Sequence, residues 1–207
     1  MRQPGRRRPQ RRHNSGAGLK GTDIYEVPEG LPEPEDDGAC DHLPGMRLPP
    51  VSLASTSGEG IDLSTLAGTT VVYCYPLTGR PDRDLPRGWD EIPGARGCTP
   101  QSCAFRDHHA ELRGLGAKVF GLSTQTTMYQ SEAVQRLHLP FALLSDENVE
   151  FVGALDLPTF EAEGMTLVKR LTLIVEDGKI LKVFYPVFPP GRNAEEVIWW
   201  LSQKAAS

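Results

Sequence analysis

Short apolar runs alternate along the chain with longer segments whose apolar side chains recur at helical spacing. Residues 71–75 and 118–123 are β-branched and aromatic runs, typical of strands buried on both faces. Residues 171–175 and 180–185 flank an Asp-Gly pair, which is a turn signal for a β-hairpin. The pattern therefore predicts two buried strands and a hairpin.

Helical patterns occupy the intervals between these strands and the end of the chain. Apolar residues follow helical spacing over residues 101–115, 128–137 and 194–204, and Asn193 is a plausible N-cap for the last helix. Strands that alternate with helices, followed by a hairpin and a helix, predict an α/β domain with a central mixed sheet flanked by helices. This order of elements fits a thioredoxin-like domain.

The first forty residues differ in composition from the rest. Of the first fifty residues, fifteen are Gly or Pro, and prolines alternate with acidic residues between positions 29 and 37. Such a segment buries too little apolar surface to offset the backbone entropy that is lost on ordering. We therefore expect residues 1–40 to form a disordered or loosely attached N-terminal extension, and residues 41–207 to form the α/β domain.

Charge is unevenly distributed along the chain. The 207 residues contain 27 acidic and 22 basic side chains, but residues 1–20 hold seven basic groups and no acid. The remainder carries a net charge of -12, which gives it no general affinity for nucleic acid. The arginine-rich tail is either a solvated terminus or an arm for nucleic acid or another anionic surface.

Hydropathy and cysteine content narrow the class of protein. No stretch of eighteen apolar residues occurs, and the basic N-terminus is not followed by the apolar segment of a signal peptide. Four cysteines are too few for a disulfide-stapled secreted scaffold of this length, and instead suggest catalysis, redox chemistry or metal binding. We therefore expect a cytoplasmic protein that makes no membrane contact.

The candidate chemistry concentrates at residues 97–107, which read Gly-Cys-Thr-Pro-Gln-Ser-Cys-Ala-Phe-Arg-Asp. Proline is tolerated in the first turn of a helix, so Pro100 predicts a helix that begins near Cys98 or Thr99. That start would place the Cys98 sulfur beside unpaired backbone N–H groups and the positive end of the helix dipole. Both favour the thiolate, which is the reactive form of cysteine.

A second cysteine, Cys103, follows five residues later. In a regular helix this spacing separates the two Cα atoms by roughly 8.7 Å, whereas a disulfide requires at most about 7 Å. Cys98 and Cys103 therefore cannot bond while the helix is intact. If they do bond, at least the first helical turn must unwind.

This segment resembles the active site of the Q-type peroxiredoxins, also called bacterioferritin comigratory proteins. The resemblance extends from about residue 45 to residue 201 and includes four further motifs. They are Tyr-Cys-Tyr-Pro at 73–76, Phe-Gly-Leu-Ser at 120–123, Pro-Phe-Ala-Leu-Leu-Ser-Asp at 140–146, and Arg-Leu-Thr-Leu-Ile-Val at 170–175. The resemblance implies a thioredoxin fold and the reduction of hydrogen peroxide and organic hydroperoxides without a metal or other cofactor.

The resemblance also implies roles for individual residues. Cys98 matches the peroxidatic cysteine, which attacks the peroxide and becomes a sulfenic acid, and Cys103 matches the resolving cysteine. Arg170 matches an arginine that lies opposite the cysteine, stabilises its thiolate and binds peroxide oxygens. Gln101 matches a residue that orients this arginine, and Thr99 and Gln101 are the expected substrate-binding residues. The implied partner is a thioredoxin-like dithiol reductant, and the implied assembly is a monomer or homodimer.

The sequence departs from the family pattern just before Cys98. The family reads Pro-x-x-x-Thr-x-x-Cys, whereas here Ala95 occupies the threonine position and Pro76 lies 22 residues before Cys98. The difference implies an insertion of about fifteen residues within 77–96. Either Thr78 folds back to supply the missing hydroxyl, or another donor replaces it. The insertion, which contains Trp89, is expected to reshape substrate access or an oligomer interface.

The sequence also allows two other interpretations of the cysteines. The thiols could instead bind copper, as in delivery proteins of thioredoxin fold, although those use a CxxxC spacing and here it is CxxxxC. A binding module that uses the arginine tail and carries vestigial thiols is the third alternative. Cys74, inside an apolar strand, is expected to be a packed hydrophobe, and Cys40 to be a free thiol or a second resolving cysteine.

Overall fold

The computed structural model describes residue 25 and residues 27–206. Nine strands lie in this part of the chain, seven in a central sheet and two in a separate hairpin. They are β1 (Ser52–Ser55), β2 (Ile61–Asp62), β3 (Thr69–Cys74), β4 (Lys118–Ser123), β5 (Leu143–Ser145), β6 (Thr159–Ala162), β7 (Met165–Val168), β8 (Leu171–Glu176) and β9 (Lys179–Phe184).

Five α-helices accompany the strands in the described part of the chain. They are α1 (Cys98–Asp107), α2 (His109–Gly114), α3 (Thr127–Leu137), α4 (Glu150–Ala154) and α5 (Asn193–Ala205). Three short 3₁₀ helices lie at Leu63–Thr65, Trp89–Glu91 and Pro190–Arg192. Within residues 27–206, no helix combines the length and the apolar character that crossing a membrane requires.

The central sheet is mixed, with the strand order β2-β1-β5-β4-β3-β8-β9. Strands β3, β4 and β5 run parallel, while β8 pairs antiparallel with β3 and β9 with β8. The predicted α/β class with a central mixed sheet is thus confirmed. Since β3 and β8 are antiparallel, the end of β3 at Cys74 lies directly opposite the start of β8 at Leu171.

The sheet separates two apolar cores, because side chains alternate between the faces of a strand. From β3, Val72 and Cys74 enter one core, while Val71 and Tyr73 enter the other. Helix α4 contributes Phe151 to the first core. Helices α1, α2, α3 and α5 cover the second core. Helices therefore flank both faces of the sheet, and the cysteine-bearing helix α1 belongs to the second face.

The predicted hairpin at the end of the sheet is confirmed. Asp177 and Gly178 adopt φ values of 49° and 74°, as expected for the two central residues of a type I′ turn. An L side chain at Gly178 would also place its Cβ 2.5 Å from the Ser64 carbonyl oxygen. The Asp-Gly pair thus meets both a local turn requirement and a close approach to another loop.

The helix predicted over residues 101–115 is two helices in the structure. Helix α1 begins earlier, at Cys98, as Pro100 indicates, and the helix changes direction at His108, where φ is -95° and ψ is 6°. The hydrogen bonds from His108 N to the Ala104 carbonyl and from Leu112 N to the His108 carbonyl persist, at 3.0 Å each. The apolar period therefore continues through a bend that the pattern does not reveal.

Part of the N-terminal extension lies against the domain. Asp37 accepts hydrogen bonds from Lys169 Nζ and from the Tyr185 hydroxyl, both at 2.8 Å. These hydrogen bonds lower the pKa of Asp37 to about 2, and the bond from Lys169 contributes more than the bond from Tyr185. Cys40 is buried in the first core. The arginine cluster of the tail lies outside the described residues, and the domain boundary at residue 40 stays a prediction.

Candidate active site

A glycine immediately precedes the cysteine-bearing helix α1. Gly97 precedes α1 with φ of 100°, a conformation that L side chains rarely adopt. Its α-carbon also packs so closely against Pro190 that an added Cβ would lie 2.2 Å from the Pro190 Cγ. Because glycine has no side chain, the N-cap residue itself supplies no acceptor to the first N–H groups of α1.

Cys98 is the first residue of α1 and is 3% exposed. Its Sγ lies 3.2 Å from Nη2 of Arg170 and 3.7 Å from the Ala95 carbonyl oxygen. A guanidinium donates to the sulfur, and its fixed charge stabilises negative charge there. The structure thus brings the predicted pair, Cys98 and Arg170, into direct contact.

Sheet topology explains how residues 72 positions apart meet. Arg170 directly precedes β8, whose first residue pairs with the last residue of β3. The chain leaves β3 at this same edge of the sheet and enters α1 through the loop of residues 75–97. Arg170 lies at the start of β8, and Cys98 begins α1, the helix that follows β3. Both residues therefore lie at the same end of these two paired strands.

Arg170 also organises the loop around the sulfur. Its Nη2 donates to the carbonyl oxygens of Gly94, Ala95 and Arg96 at 3.3, 3.3 and 3.0 Å. Its Nη1 donates a hydrogen bond to Oε1 of Gln101. The side chain is only 4% exposed. A single buried cation therefore contacts the thiol, the preceding loop and the first turn of α1.

Gln101 connects this arginine to the C-terminal helix. Its Nε2 donates to Oδ1 of Asn193 at 3.0 Å, and the same oxygen accepts from the Thr172 hydroxyl at 2.7 Å. The prediction that Asn193 caps the last helix is wrong, because its side chain is buried and bonds across to Gln101 and Thr172. Spacing along the chain did not reveal this network, which joins three distant segments.

A small cavity lies beside the sulfur. It has a volume of about 10 Å³, and its walls comprise Leu77, Gly79, Leu85, Trp89, Arg96, Gly97, Cys98 and Thr99. The Thr99 hydroxyl is buried and has no hydrogen-bond partner among the described residues. This is a polar atom that a molecule in the cavity could satisfy.

The hypothesis that Thr78 folds back onto the cysteine is not supported. The Thr78 hydroxyl donates to Oε1 of Gln125 at 3.2 Å, and its backbone N–H donates to the same oxygen at 3.1 Å. Thr78 does not line the cavity beside Cys98, whereas its neighbours Leu77 and Gly79 do. The hydroxyl-bearing residue in the lining of this cavity is Thr99.

Cys103 lies on the same helix but in a different environment. It is half-buried at the edge of the second core and forms no disulfide with Cys98. Burial raises the pKa of Cys103, and the neighbouring Arg106 opposes this effect. The second cysteine is therefore accessible only in part and rests mainly as a thiol.

The remaining cysteines are buried away from this site. Cys74 is fully buried in β3, and burial raises its pKa. Burial raises the pKa of Cys40 to about 12. Both lie in the core on the opposite face of the sheet from α1. Among the described residues, no three His, Cys, Asp or Glu side chains are grouped so that they could hold a metal ion.

Comparison with known families gives a match over most of the chain. The family described as Redoxin matches residues 43–198. Peroxiredoxin Q from the chloroplast of Sedum lineare is 31% identical over 156 residues, which cover 74% of this chain and 75% of the relative. Peroxiredoxin Bcp from Escherichia coli is 31% identical over 166 residues, which cover 78% of this chain and 96% of the relative.

Solved structures share the fold. The crystal structure of the peroxidoxin BcpB from Mycobacterium tuberculosis superimposes with a TM-score of 0.64 at 24% identity, over 78% of this chain and 98% of that one. Xylella fastidiosa PrxQ gives a TM-score of 0.65 at 20% identity, over 79% of this chain and 98% of that one. These likenesses confirm the predicted thioredoxin-like arrangement of sheet and helices.

Proposed function

This chain belongs to the Redoxin family as a peroxiredoxin of the Q and Bcp type, and we propose that it reduces hydrogen peroxide and organic hydroperoxides at Cys98. One observation carries this assignment. Nη2 of the buried Arg170 lies 3.2 Å from Cys98 Sγ at the first residue of α1. A cation and a helix N-terminus both stabilise the sulfur anion that must attack the peroxide.

In the first step, the Cys98 thiolate attacks the terminal oxygen of the hydroperoxide. A sulfur–oxygen bond forms while the oxygen–oxygen bond breaks, and the departing oxygen takes a proton to leave as water or an alcohol. The sulfur is thereby oxidised to a sulfenic acid, and the peroxide is reduced. Arg170 would stabilise the negative charge that moves from the sulfur to the departing oxygen.

Thr99 is the proposed donor to the peroxide in place of the family's usual threonine. Thr99 lines the same cavity as the sulfur, and its buried hydroxyl has no partner among the described residues. Gln101 would act indirectly, by holding the Arg170 guanidinium through Oε1 while Asn193 holds the Gln101 amide. Thr99 thus binds substrate, and Gln101 is a positioning residue.

In the second step, the Cys103 sulfur attacks the sulfenic sulfur of Cys98, which forms a disulfide and releases water. Helix α1 must first lose its N-terminal turn, because its geometry keeps the two cysteines too far apart for a disulfide. Unwinding would break the contacts of Gln101 with Arg170 and Asn193. A dithiol of the thioredoxin type would then reduce the disulfide by exchange and restore both thiols.

Substitution of Cys98 tests the attacking sulfur. Cys98→Ser should reduce peroxide consumption, measured with excess dithiothreitol as reductant, to the rate without protein. Cys40→Ala is the matched control, because that thiol is buried on the other face of the sheet, and this variant should consume peroxide at the wild-type rate. Full turnover by Cys98→Ser would refute the assignment.

Substitution of Cys103 tests the resolving step separately. Cys103→Ser should consume one equivalent of peroxide and then retain a sulfenic acid on Cys98, which dimedone labels and mass spectrometry locates. The wild-type protein should instead show a Cys98–Cys103 linked peptide and no dimedone adduct. A Cys103→Ser protein that recycles with thioredoxin at the wild-type rate would contradict intramolecular resolution.

A further inference from the structure

The inserted segment before Cys98 folds into a wall over the site. Within residues 77–96, the Trp89 side chain is 3% exposed and its ring centroid lies 5.9 Å from that of Phe160. Trp89 belongs to a separate apolar cluster, which joins the insertion to the β6–β7 hairpin. The buried members of this cluster are Leu77, Trp89, Ala95, Ala162 and Leu167. The insertion therefore has a small core of its own.

Polar contacts attach this wall to two other parts of the fold. Near its start, Arg136 Nη2 of helix α3 donates to the Gly79 carbonyl at 2.8 Å. Farther along, the Arg87 N–H donates to a carboxylate oxygen of Glu163, in the β6–β7 turn, at 3.2 Å. Within the wall, the buried Arg96 pairs with Asp90. The wall is thus anchored to helix α3 and to the β6–β7 hairpin, and an internal ion pair braces it.

Three residues of the wall line two neighbouring cavities of very different size. The inner cavity, which contains Cys98, has a volume of about 10 Å³. The outer groove has a volume of about 340 Å³. Leu85, Trp89 and Arg96 line both. Truncation of one of these side chains is therefore expected to enlarge the space beside Cys98 on the side of the groove.

The size of the inner cavity limits what can reach the sulfur. A volume of about 10–15 Å³ accommodates one water-sized group. For attack on the terminal peroxide oxygen, the second oxygen and its substituent must point away from the sulfur. Hydrogen peroxide has no carbon substituent and needs the least room, whereas a bulky carbon substituent needs more room than this cavity offers between walls that include Leu85 and Trp89.

We propose that Trp89, together with Leu85, is a specificity-determining gate that restricts this peroxidase to hydrogen peroxide and hydroperoxides with small substituents. This inference rests on the proposed reaction at Cys98. The hydrogen bonds of Cys98 Sγ join it to Ala95 and Arg170 and not to Trp89 or Leu85. The gate therefore takes no part in the chemistry. It selects by steric exclusion at a fixed wall.

The test compares two peroxides on the same thiol. Stopped-flow measurements follow Cys98 oxidation by hydrogen peroxide and by cumene hydroperoxide in the wild type, Trp89→Ala and Leu85→Ala. The Leu85 side chain is only half-buried, so Leu85→Ala opens the partition with less risk to folding than Trp89→Ala does. Trp199→Ala is the matched control, because that tryptophan is 66% exposed on α5.

We expect the wild type to prefer hydrogen peroxide, and each wall variant to lower the ratio of the two rates by about tenfold or more. The Trp199→Ala ratio should equal that of the wild type. If the wild type reacts equally fast with both peroxides, or if Leu85→Ala folds and retains the wild-type ratio, the gate is refuted while the peroxidase remains. If hydrogen peroxide does not oxidise Cys98 at all, the proposed function itself fails.

Discussion

Arg170 makes a set of contacts that only a guanidinium can make. One nitrogen reaches both Cys98 Sγ and three backbone carbonyls, while another reaches Gln101. A lysine at this position would keep the charge but replace the planar fork with a single point donor. The planar shape of the guanidinium, and not its charge alone, therefore matches the contacts at this position.

This difference leads to the first prediction at the residue scale. Arg170→Lys should lower the second-order rate constant of Cys98 oxidation by about 10²–10³-fold, since a preorganised donor to the developing charge is lost. Stopped-flow oxidation by hydrogen peroxide measures it. Lys169→Ala is the control, because this adjacent cation pairs with Asp37 instead of the sulfur, and it should change the rate constant only severalfold. Equal losses in both variants would mean that general positive charge suffices.

A second prediction concerns the pH dependence of resolution. Burial raises the pKa of Cys103, so the thiol form predominates at neutral pH and the attacking thiolate becomes more abundant as the pH rises. Below the pKa, the rate of disulfide formation should increase by about tenfold per pH unit. Quenched-flow mass spectrometry between pH 6 and pH 8.5 measures the rate. A rate independent of pH would show that proton loss from Cys103 does not limit resolution.

At the scale of elements, the N-terminus of α1 is held by backbone conformation and close packing. Gly97 has φ of 100° and no space for a Cβ beside Pro190. The same helix must unwind there if Cys98 and Cys103 are to bond. The first turn of α1 is thus fixed tightly enough to position the thiol, while no side chain of the N-cap residue locks its start.

Glycine substitution at this helix start gives the third prediction. Gly97→Ala should reduce the free energy of unfolding by about 1–3 kcal/mol, from backbone strain and the clash with Pro190. Gly114→Ala is the matched control, because no atom lies within 4 Å of its added Cβ and its φ is not positive, and it should leave stability unchanged or slightly raised. Urea denaturation of both variants measures the difference, and equal stabilities would contradict the packing argument.

The sequence pattern did not predict several short strands and helices, for physical reasons. Strand β2 has two residues and β5 has three, too few to display an alternating pattern. Helix α4 has five residues, fewer than two turns. The β6–β7 hairpin was also missed, although Glu163 and Gly164 adopt the positive φ values of a tight turn. These elements owe their conformation to tertiary pairing more than to their own sequences.

At the scale of the whole molecule, the sheet isolates the active-site face from the opposite face. Phe105 of α1 stacks on Tyr73 with ring centroids 4.5 Å apart, and the Tyr73 hydroxyl donates to Ser102 at 3.2 Å. Phe151 of α4 is equally buried but lies in the other core. A substitution in either core should lower the free energy of unfolding, whereas only a substitution on the α1 face should also displace the Cys98 thiol.

This separation gives the fourth prediction in this section. Phe105→Leu and Phe151→Leu should each reduce the free energy of unfolding by about 1–2 kcal/mol, since both remove buried ring atoms. Only Phe105→Leu should also slow Cys98 oxidation, by severalfold, in protein that circular dichroism shows to be fully folded. If both variants oxidise at the wild-type rate, the position of the thiol does not depend on the packing beneath α1.

The sequence alone determined much of the fold and the centre of the site. Hydrophobic periodicity predicted the strands 118–123 and 171–175, and the Asp-Gly pair predicted the hairpin, because both signals are local. The start of α1 followed from Pro100, which restricts its own neighbourhood of the chain. The segment containing Cys98 and Cys103, together with the distant motif at Arg170, indicated the family.

Only the tertiary structure decided which distant groups touch. Antiparallel pairing of β3 with β8 brought Arg170 to Cys98, and the packing of α5 turned Asn193 from an expected cap into a partner of Gln101. The wall formed by Trp89 depends on the β6–β7 hairpin, which was not predicted. Periodicity and turn signals describe near neighbours along the chain, whereas contacts between strands, cavities and buried hydrogen bonds depend on where the completed fold places each segment.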